Sequence, residues 1–339
     1  EPIFMARKKC PTLKVYKPNY KWYKQMSDAL FTLISKYTPD IQKMSIDECF
    51  LDYGPIKHLY GDEVKFAYKL KNEIKNTLGF TVNIGIANSK LCAKMASDFS
   101  KPDKVHTLYE YEIAKKMKPL PINDLFFVGK KTAEKLRKLN INTIGDLSKC
   151  TYDFLYPYFK NQSQKLIEAA NGIDNSIIER DKTVTKGISN STTLNHNLIY
   201  KEEVEEILGA ISENLCSQLR KEKRYATVVR VQLKDASFQN YTHQTTLKNA
   251  TNSTSKIFEI AKQLLKEMWK EEPIRLVGLA LDGLTHELSY QPSIFDNVEE
   301  VSKNKDLDDA LDKIKDRFGK DIITKASQKG KKQINKKYN

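Results

Sequence analysis

The sequence predicts an α+β protein of several domains, and three observations lead to this prediction. The chain has 339 residues, more than one ordinary hydrophobic core needs, and its 40% hydrophobic content is that of a globular protein. Apolar residues recur at helical spacing in some segments and alternate with period two in others. The alternating pattern vanishes between about residues 109 and 171, which predicts a small helical domain between two mixed ones.

The first mixed segment combines amphipathic helices with short strands. Apolar positions predict helices at about residues 24–37 and 62–78. Residues 81–86 alternate as a strand, and Asn88 or Ser89 can cap the helix that follows. These elements predict a mixed or antiparallel sheet with helices.

The second mixed segment has the predicted order β-α-β-β-α-β. Its helices are expected at about residues 202–221 and 254–269, and its last strand at 275–281. In the strand between the helices, apolar residues face one way and polar residues the other. The polar residues are Arg230, Gln232 and Lys234. We expect helices on one face of this sheet and a basic open face. The tail after it is polar, apart from one short predicted helix with Leu307, Ala310, Leu311 and Ile314.

Charge and cysteine content limit the kinds of partner and metal site that the chain can have. Lys and Arg total 57 against 43 Asp and Glu, a net charge of +14 spread along the chain. This excess favours a nucleic-acid partner, with a lysine-rich surface as the alternative. Five separated cysteines predict neither a disulfide framework nor a zinc site. No apolar run reaches the roughly 20 residues that span a bilayer, and we expect a cytoplasmic monomer without membrane contact.

An acidic motif lies in this basic chain: Ser45-Ile46-Asp47-Glu48-Cys49-Phe50-Leu51-Asp52. Adjacent side chains on a straight strand point to opposite faces, so Asp47 and Glu48 could share a metal only if the backbone turns there. A solvated hairpin tip is the alternative. The motif resembles the signature of Y-family translesion DNA polymerases of the bacterial DinB kind. The resemblance implies that Asp47 and Glu48 are catalytic and bind Mg²⁺.

Residues 83–102 extend the resemblance. They are similar to the family's strand and helix that end in Ser-Asp-x-x-Lys-Pro. In the family, the lysine of this ending meets the triphosphate of the incoming nucleotide, and it matches Lys101. From the residues alone, Lys101 could equally neutralise the end of a helix.

Residues 122–147 resemble a helix-hairpin-helix. In that motif, backbone N–H groups at a helix start bind a DNA phosphate without reading the bases. The family usually has Gly-Val-Gly where this chain has Phe127-Val128-Gly129, and a two-helix packing corner is the alternative. The predicted DNA-binding residues of this segment are Val128, Gly129, Lys130 and Lys131.

The second mixed segment resembles the little-finger domain special to this family. Lys186 opens the matching strand, and the row of Arg230, Gln232 and Lys234 lies on the predicted open face. Such a row can follow a phosphate backbone, although each residue singly is as consistent with an ordinary exposed side chain.

A short peptide after the last strand resembles the motif by which bacterial polymerases bind the sliding clamp. It reads Tyr-Gln-Pro-Ser-Ile-Phe-Asp over residues 290–296. In such a peptide, a glutamine fixes the register and two apolar side chains enter a pocket. Here these residues are Gln291, Ile294 and Phe295.

The resemblance implies a template-directed DNA polymerase of the translesion type, acting in DNA damage bypass and repair. Its implied partners are primer-template DNA, deoxynucleoside triphosphates and the sliding clamp, with Mg²⁺ at a two-metal site. It divides the chain into a remnant of the fingers (1–18), a partial palm (19–108), a helical thumb (109–172), a linker (173–183), a little finger (184–289), and a clamp-binding peptide with a basic tail (290–339).

The resemblance begins part-way through the fingers. The family's Asp-x-Asp strand and its finger Tyr and Arg residues have no counterpart in this sequence. We therefore expect a metal site that lacks its first catalytic aspartate. The alternative function is a catalytically incomplete fragment that binds DNA and the sliding clamp.

Overall fold

The computed structural model describes residues 1–180, 185–286, 298–319 and 322–323. It divides the chain into two compact units, Glu1–Lys182 and Thr183–Asn339. Within the described ranges, no helix is both long enough and apolar enough to cross a membrane.

The first unit is mostly helical. Its helices are α1 (Ile3–Lys9), α2 (Tyr20–Ile34), α3 (Lys57–Tyr60), α4 (Glu63–Leu78), α5 (Lys90–Asp98), α6 (Ile113–Lys116), α7 (Lys130–Arg137), α8 (Ile144–Ser148), α9 (Tyr152–Phe159) and α10 (Ser163–Ala170). Its strands are β1 (Ile41–Lys43), β2 (Cys49–Leu51), β3 (Ile84–Ile86) and β4 (Val105–Thr107). Single 3₁₀ turns lie at Gly54–Ile56, Glu110–Glu112, Ile122–Asp124 and Lys160–Gln162.

Local sequence signals explain where the main helices begin and end. Asn19 caps α2 and Asp62 caps α4, and each side chain accepts a hydrogen bond from an N–H of the first turn. Of the two predicted caps for α5, Ser89 makes the hydrogen bond. Gly79 ends α4 with φ at 77°, in the left-handed region that glycine adopts without steric strain. Helix α2 begins and ends earlier than its apolar spacing predicts, and the Asn19 cap explains the earlier start.

The strands of this unit form two separate pairs. β1 and β2 are antiparallel, with Lys43 opposite Cys49, whereas β3 and β4 are parallel. A Cβ atom on Gly85 of β3 would lie 1.9 Å from the backbone oxygen of Ala93. Only glycine therefore allows β3 to lie this close to α5.

Two hydrophobic clusters fill the first unit. One joins α2 and α4 through residues that include Leu30 and Leu70. The other runs from α5 to α10, so that Met95 of α5 packs in the same cluster as Leu136 of α7. This core crosses the predicted palm–thumb boundary at residues 108 and 109. Helix α5 is thus held by β3 and by the helical core.

The second unit is a four-stranded sheet with helices. Its strands are β5 (Gly187–Leu198), β6 (Ala226–Asp235), β7 (Asn240–Thr251) and β8 (Ile274–Asp282), in the order β5-β8-β6-β7. Its helices are α11 (Lys201–Lys221), α12 (Thr254–Met268) and α13 (Val298–Phe318). All neighbouring strands are antiparallel. Up to β8, the elements follow in the order predicted from the sequence.

Alternation along β6 separates the two faces of the sheet. Val229, Val231 and Leu233 are buried in one cluster with residues of α11 and α12. Full burial of each such side chain contributes about 1.5–3 kcal/mol. Arg230, Gln232 and Lys234 are half-buried on the opposite face. The predicted assignment of these six residues to two faces is confirmed.

Helix α13 is longer than the short tail helix predicted, and ion pairs hold it against the sheet unit. Arg220 of α11 lies 3.2 Å from Asp308 and 2.6 Å from Asp312. Burial raises the pKa of Asp312, but hydrogen bonds from Arg220 and Ser217 outweigh burial and leave that pKa below its usual value. The aspartates face inward, whereas Leu307 is exposed.

Candidate functional site

The acidic motif forms the turn of the hairpin between β1 and β2. The N–H groups of Met44 and Ser45 both donate to the backbone oxygen of Glu48, at 2.9 and 3.2 Å. The backbone turn that a shared metal requires is therefore present. Asp47 and Glu48 are exposed on this turn, and the Ser45 hydroxyl donates to Asp47 at 2.6 Å. The alternative description as an exposed hairpin tip is geometrically correct too.

Lys94 of α5 links the hairpin to the helix. Its Nζ lies 2.7 Å from Oε1 of Glu48 and 3.0 Å from Oδ2 of Asp98. The Lys94 side chain is only 17% exposed. Burial acts most strongly on Lys94 and lowers its pKa, but the hydrogen bonds to Glu48 and Asp98 outweigh burial, so the pKa of Lys94 lies above its usual value. The amine thus stays charged and holds Glu48.

Asp98 connects Lys94 to the predicted triphosphate residue. Its Oδ1 lies 2.8 Å from Nζ of Lys101. Burial raises the pKa of Asp98, yet the hydrogen bonds from Lys101 and Lys94 outweigh burial and hold that pKa below its usual range. Glu48, Lys94, Asp98 and Lys101 form one chain of alternating charge, which we call the ion-pair chain. It brings the predicted metal and nucleotide residues together.

The donor set of the turn fits a hard divalent cation. Mg²⁺ in proteins is usually bound by one or two carboxylates, with water and substrate phosphates completing the shell. Asp47 and Glu48 supply two neighbouring carboxylates, both reachable from solvent. Across the described parts of the chain, no group of three or more His, Cys, Asp or Glu residues could hold a metal by itself.

The helix-hairpin-helix segment contains Val128, Gly129, Lys130 and Lys131 at the start of α7. The Val128 side chain is buried in the helical core, and its N–H donates to the oxygen of Leu125 at 2.9 Å. Its N–H is therefore occupied within the turn. Gly129 is the first residue before α7, and the space beside it is open, because a Cβ atom added there would meet nothing beyond its chain neighbours within 4 Å. Lys130 and Lys131 are exposed.

Phe127 stands where the family usually has glycine, and its backbone explains that preference. The hydrogen bond from Val128 to Leu125 closes a four-residue turn. Phe127 is the third residue of this turn and has φ at 74°. A type II turn requires positive φ at this position, which favours Gly or Asn. Phe127 is 75% exposed.

The open face of the second unit carries the other predicted DNA residues. Arg230, Gln232 and Lys234 point from β6 to the same side, and Lys186 is exposed just before β5. Nη2 of Arg230 lies 2.6 Å from Oδ2 of Asp282 on β8. Arg230 and Gln232 line a shallow groove of about 440 Å³, together with residues of β5, β7 and β8.

Three contributors to these surfaces are not predicted from the sequence. Lys94 and Asp98 lie in the motif-bearing segment, and their spacing of four residues could have indicated an ion pair on one helix face. Their proximity to Glu48 depends on the tertiary contact of hairpin and helix. Asp282 gives no local signal, because its partner is on another strand. Gln291, Ile294 and Phe295 lie outside the described residues.

Three family models match the chain. The impB/mucB/samB family matches residues 1–98, its C-terminal domain matches 185–294, and the IMS family HHH motif matches 112–141. A DNA polymerase IV of Clostridium acetobutylicum is 44% identical over 327 residues, covering 96% of this chain and 82% of that protein. The chain therefore belongs to the impB/mucB/samB family of Y-family DNA polymerases.

Further relatives agree with this membership. A DNA polymerase IV of Alkaliphilus oremlandii is 35% identical over 335 residues, covering 95% of this chain and 83% of that protein. The solved structure of a Y-family DNA polymerase chimera, Dbh-Dpo4(243-245)-Dbh, has 22% identity and a TM-score of 0.74, and covers 84% of this chain and 83% of its own. That likeness shows a shared fold of helices and sheets. The predicted activity is confirmed: the chain is a DNA-directed DNA polymerase of the translesion class.

Proposed function

We propose that Asp47 and Glu48 hold the catalytic metal, Mg²⁺, next to the nucleotide site. The observation that carries this proposal is the ion-pair chain, which places Glu48 and Lys101 at the two ends of one connected set of side chains. Asp47 and Glu48 would hold this ion, and the chemistry it would supply is activation of the primer hydroxyl and neutralisation of charge on the leaving pyrophosphate.

The residues of the chain have distinct tasks in this proposal. Ser45 orients the Asp47 carboxylate through their hydrogen bond, and Lys94 orients Glu48. Lys101 binds the triphosphate of the incoming nucleotide as a point charge. Lys101 is paired with Asp98 at the exposed end of α5. The incoming triphosphate can therefore displace Asp98 as the partner of the Lys101 amine.

DNA contacts come from both units. The first N–H groups of α7 have no partner within the helix and can donate to a phosphate, with Lys130 and Lys131 adding positive charge. On the open face of the second unit, Arg230, Gln232 and Lys234 follow the phosphate backbone of the duplex. These contacts ignore base identity, as a polymerase that copies any template requires.

The domain names follow from these tasks. Residues 19–108 serve as the palm with the metal turn, 109–172 as the thumb, and 184–289 as the little finger, with 1–18 belonging to the fingers and 173–183 to the linker. The partners are primer-template DNA and deoxynucleoside triphosphates. A solved structure with 22% identity is described as an insertion ternary complex of Dbh DNA polymerase. The peptide with Gln291, Ile294 and Phe295 would dock on the sliding clamp through its two apolar side chains.

Primer extension with Mg²⁺ tests the metal assignment. Asp47→Ala and Glu48→Ala should each reduce extension about a hundredfold or more, since a charge-stabilising group of an active site typically contributes that much. Glu110→Ala is the matched control, because Glu110 is an exposed carboxylate of the same unit outside the turn. Both site variants should also weaken Mn²⁺ binding measured without nucleotide. Extension and Mn²⁺ binding that survive both substitutions would contradict the assignment.

A further inference from the structure

Phe127 combines two properties that the folded chain alone does not explain. Its φ of 74° places a bulky side chain in the left-handed region, where non-glycine residues are strained. The residue is 75% exposed and so contributes little to the hydrophobic core. Glycine at this position would remove the strain and the exposed apolar surface together.

The ring is nevertheless held in place. It lies against Phe126, with ring centroids 4.0 Å apart and an angle of 39° between the planes. Phe126 packs against the helical core, and its N–H donates to the sulfur of Met95. Val128, on the other side, is buried. Phe127 is therefore a projecting ring on a fixed base, which loses little conformational entropy when a partner covers it.

The surroundings of the ring indicate the partner. Lys130 and Lys131 follow within four residues, both exposed and without an ion-pair partner in the part of the chain that the structure describes. The space beside Gly129 is open. The turn belongs to the segment matched by the HHH motif. An apolar ring beside two unpaired cations suits a polymer that alternates apolar and anionic groups, as deoxyribose and phosphate alternate along DNA.

We propose that Phe127 is a DNA contact of the helix-hairpin-helix turn, with its ring covering the apolar face of a deoxyribose next to the phosphate bound at α7. This inference rests on the proposed DNA contact of that helix. The contact adds an affinity that does not depend on salt, because it releases no counterions. In this proposal, contact of the ring with the duplex offsets the cost of the positive φ, which any side chain with a Cβ atom bears at this position.

The test compares Phe127→Gly with wild type in duplex binding across a range of salt concentrations. Covering the exposed three quarters of Phe127 predicts a loss of affinity of about 7- to 45-fold in Phe127→Gly. The slope of log affinity against log salt should stay unchanged, whereas Lys130→Ala should reduce it by about one. The melting temperature of Phe127→Gly should not fall, since relief of strain offsets the added freedom of the unfolded chain.

Two further variants sharpen the comparison. Phe127→Trp keeps an aromatic ring and should bind DNA like wild type. Tyr111→Ala removes the ring of a residue that is 80% exposed elsewhere in the same unit, and it should leave affinity unchanged. Equal affinity of Phe127→Gly and wild type would overturn the proposal, as would a loss matched by Tyr111→Ala. A change in oligomeric state of Phe127→Gly without a change in DNA affinity would instead assign the ring to a protein contact and overturn it too.

Comparing Lys130→Ala with Phe127→Gly distinguishes a failure of the Phe127 contact from a failure of the phosphate contact at α7. If Lys130→Ala leaves both affinity and salt slope unchanged, the helix-hairpin-helix does not bind phosphate, and the proposed function of this segment fails. If Lys130→Ala behaves as expected and Phe127→Gly binds like wild type, only the inference about Phe127 fails.

Discussion

Substituting Lys94 by methionine should tighten metal binding while slowing catalysis. Methionine keeps the length and apolar character of the lysine stem but removes the charge that holds Glu48 at 2.7 Å. In the proposed site, Lys94 and a divalent cation compete for the carboxylate of Glu48. Without Lys94, the cation meets a free Glu48, and the local charge becomes more negative by one unit.

The expected change in metal affinity follows from the solvent exposure of Lys94 and Glu48. Lys94 is 17% exposed, but Glu48 is 47% exposed, so water screens much of their attraction. Exposed ion pairs contribute about 0.2–1 kcal/mol, and this pair lies at the upper end because one partner is nearly buried. We therefore expect about a fivefold lower Kd for the metal, which corresponds to about 1 kcal/mol.

Electron paramagnetic resonance of free Mn²⁺, recorded without nucleotide, measures this Kd directly. Lys94→Arg retains the charge and should bind Mn²⁺ like wild type. Lys90→Met is the matched control, because Lys90 lies on the same helix and hydrogen-bonds Gln42 instead of an acid of the turn. Primer extension by Lys94→Met should fall at saturating metal, since Glu48 loses its fixed position. Weaker or unchanged Mn²⁺ binding by Lys94→Met would refute the competition between lysine and metal.

Three further predictions concern DNA binding, stability and the clamp. The double substitution of Lys130 and Lys131 by alanine should lower the slope of log affinity for duplex DNA against log salt by about two. Lys138→Ala, at the other end of α7, should leave this slope unchanged. Equal slopes for both variants would contradict the phosphate contact. Arg220→Met leaves two inward-facing aspartates unpaired and should cost about 3–5 kcal/mol of unfolding free energy, measured by urea denaturation. In wild type, the lowered pKa of Asp312 stabilises the fold above about pH 4, and this stabilisation is lost as the pH falls below that value. The melting temperature of wild type should therefore drop in this acidic range, and Arg220→Met should lack this drop. Deletion of residues 291–295 should abolish stimulation by the sliding clamp without changing extension of short primers, and undiminished stimulation would exclude this peptide as the docking site.

Periodicity predicted the elements that bury one long face. Helix α4 and its glycine end, and the alternation along β6, lie where the apolar pattern places them. Strand β4 was missed because three residues carry no alternation signal and its parallel partner is distant in sequence. The full length of α13 was missed because its inward face is acidic, with Asp308 buried against Arg220. A hydrophobic pattern cannot reveal a helix held by ion pairs.

The candidate site was predictable where a local motif carries it. The acidic turn and Lys101 were found from contiguous residues, and their catalytic roles remain predictions. Lys94 was missed, because only the contact of the β1–β2 hairpin with α5 gives it Glu48 as a partner. The sequence shows that Phe127 replaces the glycine of the family pattern. It does not show that the Phe127 backbone keeps the positive φ typical of glycine.

Gly85 sets the position of a site that it never touches. Its missing side chain lets β3 rest against the backbone of α5 between Ala93 and Ser97, the stretch that carries Lys94 and ends just before Asp98. A single added methyl group would have to push α5 away from β3. Lys94, which binds Glu48 of the hairpin, would move with the helix. Gly85→Ala should therefore impair nucleotide addition while every charged group is retained. In this polymerase, the spacing between the charges of the proposed site depends on how closely two uncharged backbones approach each other.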